Sequence, residues 1–192
     1  IGQGFKVMKL NLGCGNKIID GYINVDKFDT YNVDIKHDLE KFPYPFEDDT
    51  VEEIILSHVL EHIGQSPDIF IKILKELYRI CKNQALIEIS VPHPRHDNFI
   101  SDPTHVRPIT VLGLQLYNKD LNLKWELSEA ANTPMAIIHN VNFRIKNVSH
   151  VLDEKYIDLL KSGKIQKDEI QDLSHKYNNV IKEIKIEWEV IK

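Results

Sequence analysis

Short apolar runs alternate with polar, proline-broken segments along the first half of the chain. Their spacing predicts strands at Val7–Leu12, Tyr22–Val25, Glu53–Ser57 and Ala85–Val91, with a weak one at Val33–Ile35. The period changes over Pro67–Cys81, where Ile69, Phe70, Ile73, Leu74, Leu77 and Ile80 mark the apolar face of a helix. Ser66 and Pro67 suit its start, because serine caps free amides and proline fits the first helical position. Pro92–Pro108 is a polar loop too rich in proline for regular structure, and Thr110–Tyr117 resumes a helix. Phe143–Val151 and Val180–Ile191 alternate as antiparallel strands do, with the helical stretch Glu154–Tyr177 between them.

This order predicts an α/β, Rossmann-like fold: a mainly parallel sheet with helices on both faces and a C-terminal antiparallel hairpin. A length of 192 residues suits one domain spanning 1–192. Residues 1–7 precede Met8, a candidate native start. Lysine and arginine number 24 against 29 aspartates and glutamates, a formal charge of −5. That balance argues against a phosphate-neutralising nucleic-acid surface. There is neither a signal-peptide layout nor an apolar run able to span a membrane, so a cytoplasmic protein is expected. Cys14 and Cys81 are too few for a disulfide framework. The unusual number is 9 histidines, of which His58, His62, His93, His96 and His105 lie centrally.

The first strand ends in Leu10-Asn11-Leu12-Gly13-Cys14-Gly15-Asn16. Glycines there let the backbone turn sharply and admit a ligand close to the main chain. The third glycine of the dinucleotide fingerprint is replaced by Ile18. The next strand ends in Asp26, where a carboxylate can accept from both hydroxyls of a ribose. Together they favour a ribose-bearing ligand over a plain turn.

The ordered series L-N-L-G-C-G-N, G-Y-I-N-V-D, H-D-L and P-F-E-D-D-T-V-E-E-I-I-L-S-H-V-L-E-H-I resembles the class I S-adenosylmethionine-dependent methyltransferases, from about Lys9 to Pro92. The resemblance implies a seven-stranded sheet with an antiparallel last strand, and S-adenosylmethionine as cofactor. It sets Gly13 and Gly15 under the methionine part, Asp26 at the ribose, and Asp38 and Leu39 at the adenine. Asn11 stands where many relatives carry an acidic residue near the cofactor's ammonium, and Ser57 and His58 face its reactive region. One departure is plain. Only Asn16–Asp20 separate the glycine loop from Gly21, whereas a parallel crossover normally takes a dozen or more residues. The usual first helix must be a single turn or a loop.

The histidines carry the remaining chemistry. His58 and His62 are spaced as a helical i,i+4 pair, but Glu61 stands in the wrong place for a zinc-protease motif. The proline-rich loop at 92–108 leaves the fifth strand on the cofactor side, where it would contact a small-molecule or glycan-linked acceptor. Within it His93, His96 and Arg107 are the expected acceptor contacts, and His105 joins His58 as a candidate base for an oxygen acceptor. Local turn bonds are the alternative for each loop residue, and a metal held by His93, His96, His105 and an aspartate is a further one. Metal-free acceptor chemistry is the reading adopted. An NAD-dependent oxidoreductase and a non-catalytic cofactor-binding module are the competing functions; oligomeric state is left open.

Overall fold

A computed structural model describes residues 7–192. The segment before Met8, apart from Val7, lies outside the described residues. The chain runs β1 (Met8–Leu12), β2 (Ile23–Asp26), β3 (Ile35–Lys36), β4 (Val51–Ser57), α1 (Pro67–Ile80) and β5 (Cys81–Pro92). It continues through α2 (Asp97–Ile100), α3 (Val111–Gln115), α4 (Lys119–Leu127) and α5 (Met135–His139) to β6 (Phe143–Leu152), α6 (Glu154–Lys161), α7 (Glu169–Lys176) and β7 (Ile181–Val190). The strands form one sheet in the order β3-β2-β1-β4-β5-β7-β6. Strands β1 to β5 are parallel, and β7 lies antiparallel between β5 and β6. The expected mainly parallel sheet with its antiparallel C-terminal pair is what the chain forms.

Leu10, Leu12, Ile54, Leu56, Ile87, Ile89, Ile186 and Trp188 are buried on one face of the sheet. Helix α1 closes that face with Phe70, Ile73, Leu74, Leu77 and Ile80, the side its periodicity predicted. Its start is the predicted one: Ser66 is extended at φ −82°, and its Oγ accepts from Ile69 N–H at 3.3 Å. Phe143 stacks on Trp188 with ring centroids 3.9 Å apart. Tyr78 from α1 meets Phe143 edge-on, and Tyr117, just beyond α3, meets Trp188 the same way. Both helices therefore cover the same face.

Helix cover is uneven, which narrows the expectation of helices on both faces. On the opposite face Glu88 and Lys185 are exposed, and Glu53, Ser90 and Glu187 are half-buried. The physical reason is in the strands themselves. Parallel strands buried on both sides read as continuous apolar runs, whereas Ile87–Val91 alternates apolar with polar. Among the described residues no helix covers the chain between β1 and β4, so three crossovers are loops.

The β1–β2 crossover is held by two buried asparagines. Asn11 Nδ2 donates to Lys17 C=O at 2.7 Å and to Asn24 Oδ1 at 2.9 Å. The same Asn24 Oδ1 accepts from Ile19 N–H at 2.9 Å, and its Nδ2 donates to Ile19 C=O at 3.2 Å. A helix satisfies its own backbone groups; here two side-chain amides do that work for the loop. The β3–β4 loop is held differently. Arg79 of α1 donates to the carbonyls of Tyr44 and Phe46, while Glu76 accepts from Tyr44 N–H.

Candidate functional site

Strand order reverses between β1 and β4, and at such a switch point the carboxyl ends of the strands leave a crevice. A cleft of about 640 Å³ opens there, lined by Gly13, Asp26, Asp38, Leu39 and His58 among others. Five of the nine residues expected at the cofactor or as base thus meet in one cavity.

Gly13 and Gly15 both have positive φ, +65° and +51°, which explains glycine at each. A Cβ on Gly13 would lie 2.7 Å from Val59, so this turn also packs against the segment after β4. A Cβ on Gly15 would meet open space. The Asp26 carboxylate is aimed by the main chain: Oδ2 accepts from Gly15 N–H and Oδ1 from Phe28 N–H, each at 2.9 Å. Each oxygen keeps a further lone pair for a ligand hydroxyl. Cys14, between the glycines, is buried; burial first and the charge of Asp26 second hold its thiol above the usual range.

Leu39 is buried, and its carbonyl accepts from the Tyr44 hydroxyl at 2.8 Å. Asp38 Oδ1 accepts from Glu40 N–H at 3.0 Å, and Glu40 Oε1 accepts from Gly64 N–H at 2.7 Å. That chain of contacts joins this wall to the turn after β4. Sequence reasoning missed Phe28, whose ring lines the cleft and is 60% exposed. An aromatic residue two places after the acidic strand end was the available signal. Asn11 is committed to the loop, and Ser57 does not line the cleft.

His58 is the residue most altered by tertiary structure. It sits at φ +58°, directly after β4, and its N–H donates to Ser90 C=O at 2.8 Å. Its Nε2 is 2.9 Å from Glu183 Oε2 on β7, and its Nδ1 is 3.3 Å from Oε1 of the fully buried Glu61. Contact with Glu61, and then with Glu183, raises its pKa against the opposing effect of burial. The spacing of His58 and His62 suggested a helix; the two stand instead on an irregular turn.

The proline-rich loop reaches the lip of the cleft through His62, whose Nδ1 is 2.9 Å from Thr104 Oγ1. Two further bonds, from Val106 and Arg107 N–H to Glu61 C=O, pin it there. Its expected acceptor contacts separate. His96 is buried and caps α2, with Nδ1 accepting from Asn98 N–H and Nε2 facing Asp153 at 3.3 Å. Arg107 donates to Gly64 C=O at 2.8 Å and lies over the Phe70 ring. His93 faces a second cavity of about 1100 Å³ that also takes in Arg95, His150 and Lys167. Burial first, and then His150, Arg95 and His96, lower its pKa. His105 is nearly buried, with Nδ1 bonded to Phe99 C=O at 2.8 Å.

No protein-family model matches the chain, and no curated protein matches it. Solved structures do. A SAM-dependent methyltransferase from Archaeoglobus fulgidus superposes with a TM-score of 0.56 at 18% identity, over 95% of this chain and 86% of the other. A second, from Methanosarcina mazei, gives 0.53 at 12% identity, over 96% and 93%. The cyclase SpnF gives 0.51 at 14%, over 96% of this chain and 75% of its own. Likeness at such identities is likeness of fold, and the cyclase among these neighbours shows that the fold alone does not name a reaction. The chain has the fold of the class I S-adenosylmethionine-dependent methyltransferases.

Proposed function

We propose that this chain is a cytoplasmic S-adenosylmethionine-dependent methyltransferase acting on a small-molecule or glycan-linked acceptor. The observation that carries the reading is the Asp26 carboxylate, held by the amides of Gly15 and Phe28 at the mouth of a cleft floored by Gly13. Asp26 is the ribose ligand in this reading, Leu39 and Phe28 are the apolar partners of the adenine, and Asp38 accepts from its amine. The room beside Gly15, where a side chain would meet nothing, suits the amino-acid end. When bound, S-adenosylmethionine supplies a methyl group already activated on a sulfonium. The protein's part is then to align an acceptor and exclude water.

His58 stands at the acceptor end of the cleft. A carboxylate near each ring nitrogen favours its charged form, which suits it to hold an electron-rich acceptor group. Proton removal from an oxygen acceptor would require its neutral form. His105, the second candidate, lies behind His62 with ring centroids 4.5 Å apart, and its proposed role is to position that ring at the lip of the cleft.

Calorimetry tests the reading. S-adenosylmethionine and S-adenosylhomocysteine should bind at micromolar concentration and NAD should not, and Asp26→Ala should weaken both at least tenfold. Preference for NAD would favour the oxidoreductase. Absence of S-adenosylhomocysteine binding, or its survival unchanged in Asp26→Ala, would overturn the site as drawn.

A further inference from the structure

Glu61 has no exposed surface, and neither of its carboxylate oxygens makes a hydrogen bond. His58 Nδ1, 3.3 Å from Oε1, compensates one oxygen in part and leaves Oε2 without a partner, a costly state for a buried carboxylate. One oxygen of Glu61 and one nitrogen from each of His62 and His105 lie within 4.8 Å of one another. The two imidazole rings approach edge-on at 4.5 Å. His62 follows Glu61 in the turn after β4, and the proline-rich loop brings His105 back onto it.

The surrounding hydrogen bonds orient both rings as metal ligands are oriented. His105 Nδ1 faces the Phe99 carbonyl, which can only accept, so Nδ1 carries the proton. Thr104 Oγ1 donates to Asp102 Oδ1 at 2.6 Å and therefore accepts from His62 Nδ1. With Nδ1 so engaged, each imidazole has Nε2 left for a ligand; that of His105 also has Asp102 Oδ2 3.7 Å away. This outer arrangement, a ring N–H bonded to a carbonyl or, through a hydroxyl, to a carboxylate, is the usual support of histidine ligands.

We propose that Glu61, His62 and His105 bind one divalent transition-metal ion. Two imidazole nitrogens and one carboxylate suit zinc or iron(II), and are a poor set for magnesium or calcium. Three protein ligands leave a position open on a four-coordinate ion. Because His62 also lines the cleft, that ion adjoins the proposed methyl-transfer site. The ion would also give the buried Glu61 carboxylate a second charged partner beside His58.

The test uses the full chain without a histidine tag, stripped with chelator and titrated with cobalt(II). One equivalent should produce visible d–d absorption, and zinc should bleach it stoichiometrically. His62→Ala and His105→Ala should each abolish saturable binding, and Glu61→Gln should weaken it at least tenfold. His175→Ala, at an exposed site elsewhere, should leave it unchanged. His62 is only half-buried, so its variant is expected to fold. A rise in wild-type melting temperature with zinc, absent in His62→Ala, gives an independent readout. Absorption that never saturates, or that persists in both histidine variants, would overturn the site. The spectrum is read without S-adenosylmethionine, so its failure leaves methyl transfer untouched.

Discussion

His58 Nε2 lies 2.9 Å from Glu183 Oε2, so the end of β4 is bonded to a strand formed near the end of the chain. The antiparallel register, with Pro92 opposite Glu183, sets this contact. With Glu61 on the other ring nitrogen, the imidazolium is favoured and its pKa rises above the ordinary 6.5. A histidine whose pKa is raised on folding contributes stability that is complete below its unfolded value. That contribution is lost as pH climbs through the folded value. Proton NMR should show His58 titrating above 6.5, and Glu183→Gln should move it down. An unchanged titration in that variant would mean that the contact is not made in solution.

The two loop glycines should separate in their tolerance of alanine. Gly15→Ala carries only the backbone cost of positive φ, about 1 kcal/mol. Gly13→Ala carries that cost and a clash with Val59. It should destabilise by about 1–3 kcal/mol more, in the range of overpacked sites. Denaturant unfolding of both variants decides it, and equal losses would remove the claim that Gly13 is constrained by packing.

Asn24→Ala should loosen the crossover rather than the sheet. It strips Ile19 N–H of its partner, at about 1–3 kcal/mol if left buried and unpaired, and removes one of the bonds to Ile19 C=O and to Asn11. Hydrogen exchange should quicken first at Lys17 to Tyr22, with α1 protected as before. Loss spread evenly through the sheet would contradict the local role.

Phe28 is mostly exposed, so its removal should change stability by less than about 0.5 kcal/mol. If its ring stacks on the adenine, Phe28→Ala should weaken S-adenosylhomocysteine by about 1–3 kcal/mol, the range for a base on an aromatic side chain. Calorimetry beside a melting curve separates the two effects, and affinity unchanged in Phe28→Ala would take the ring out of the site.

Much of this could be read along the chain because it depended on neighbours in sequence. The apolar face of α1, its Ser66 cap and the left-handed glycines after β1 are local, as is Asp26 at the end of β2. Residues acting locally keep their meaning wherever the strand is placed. The histidine loop was harder. Its residue types suited acceptor binding, yet His96 became a helix cap and Arg107 a clamp on Gly64, because buried backbone groups nearby needed partners. Helices α4 and α5 also went unpredicted. The stretch from Lys119 to Leu127 buries only Asn122, so it carries no apolar periodicity to see.

By itself, then, the sequence determined the α/β order of elements, the turn and carboxylate of a ribose-binding crevice, and the missing first helix. Tertiary structure decided what each histidine does. An imidazole changes its role with the atom that faces each nitrogen, and those atoms come from distant segments: Glu183 for His58, Thr104 for His62, Phe99 for His105. It also decided that Glu61 is a fully buried carboxylate without a hydrogen bond. Burial depends on which strands and loops close over a residue, and no local pattern records that.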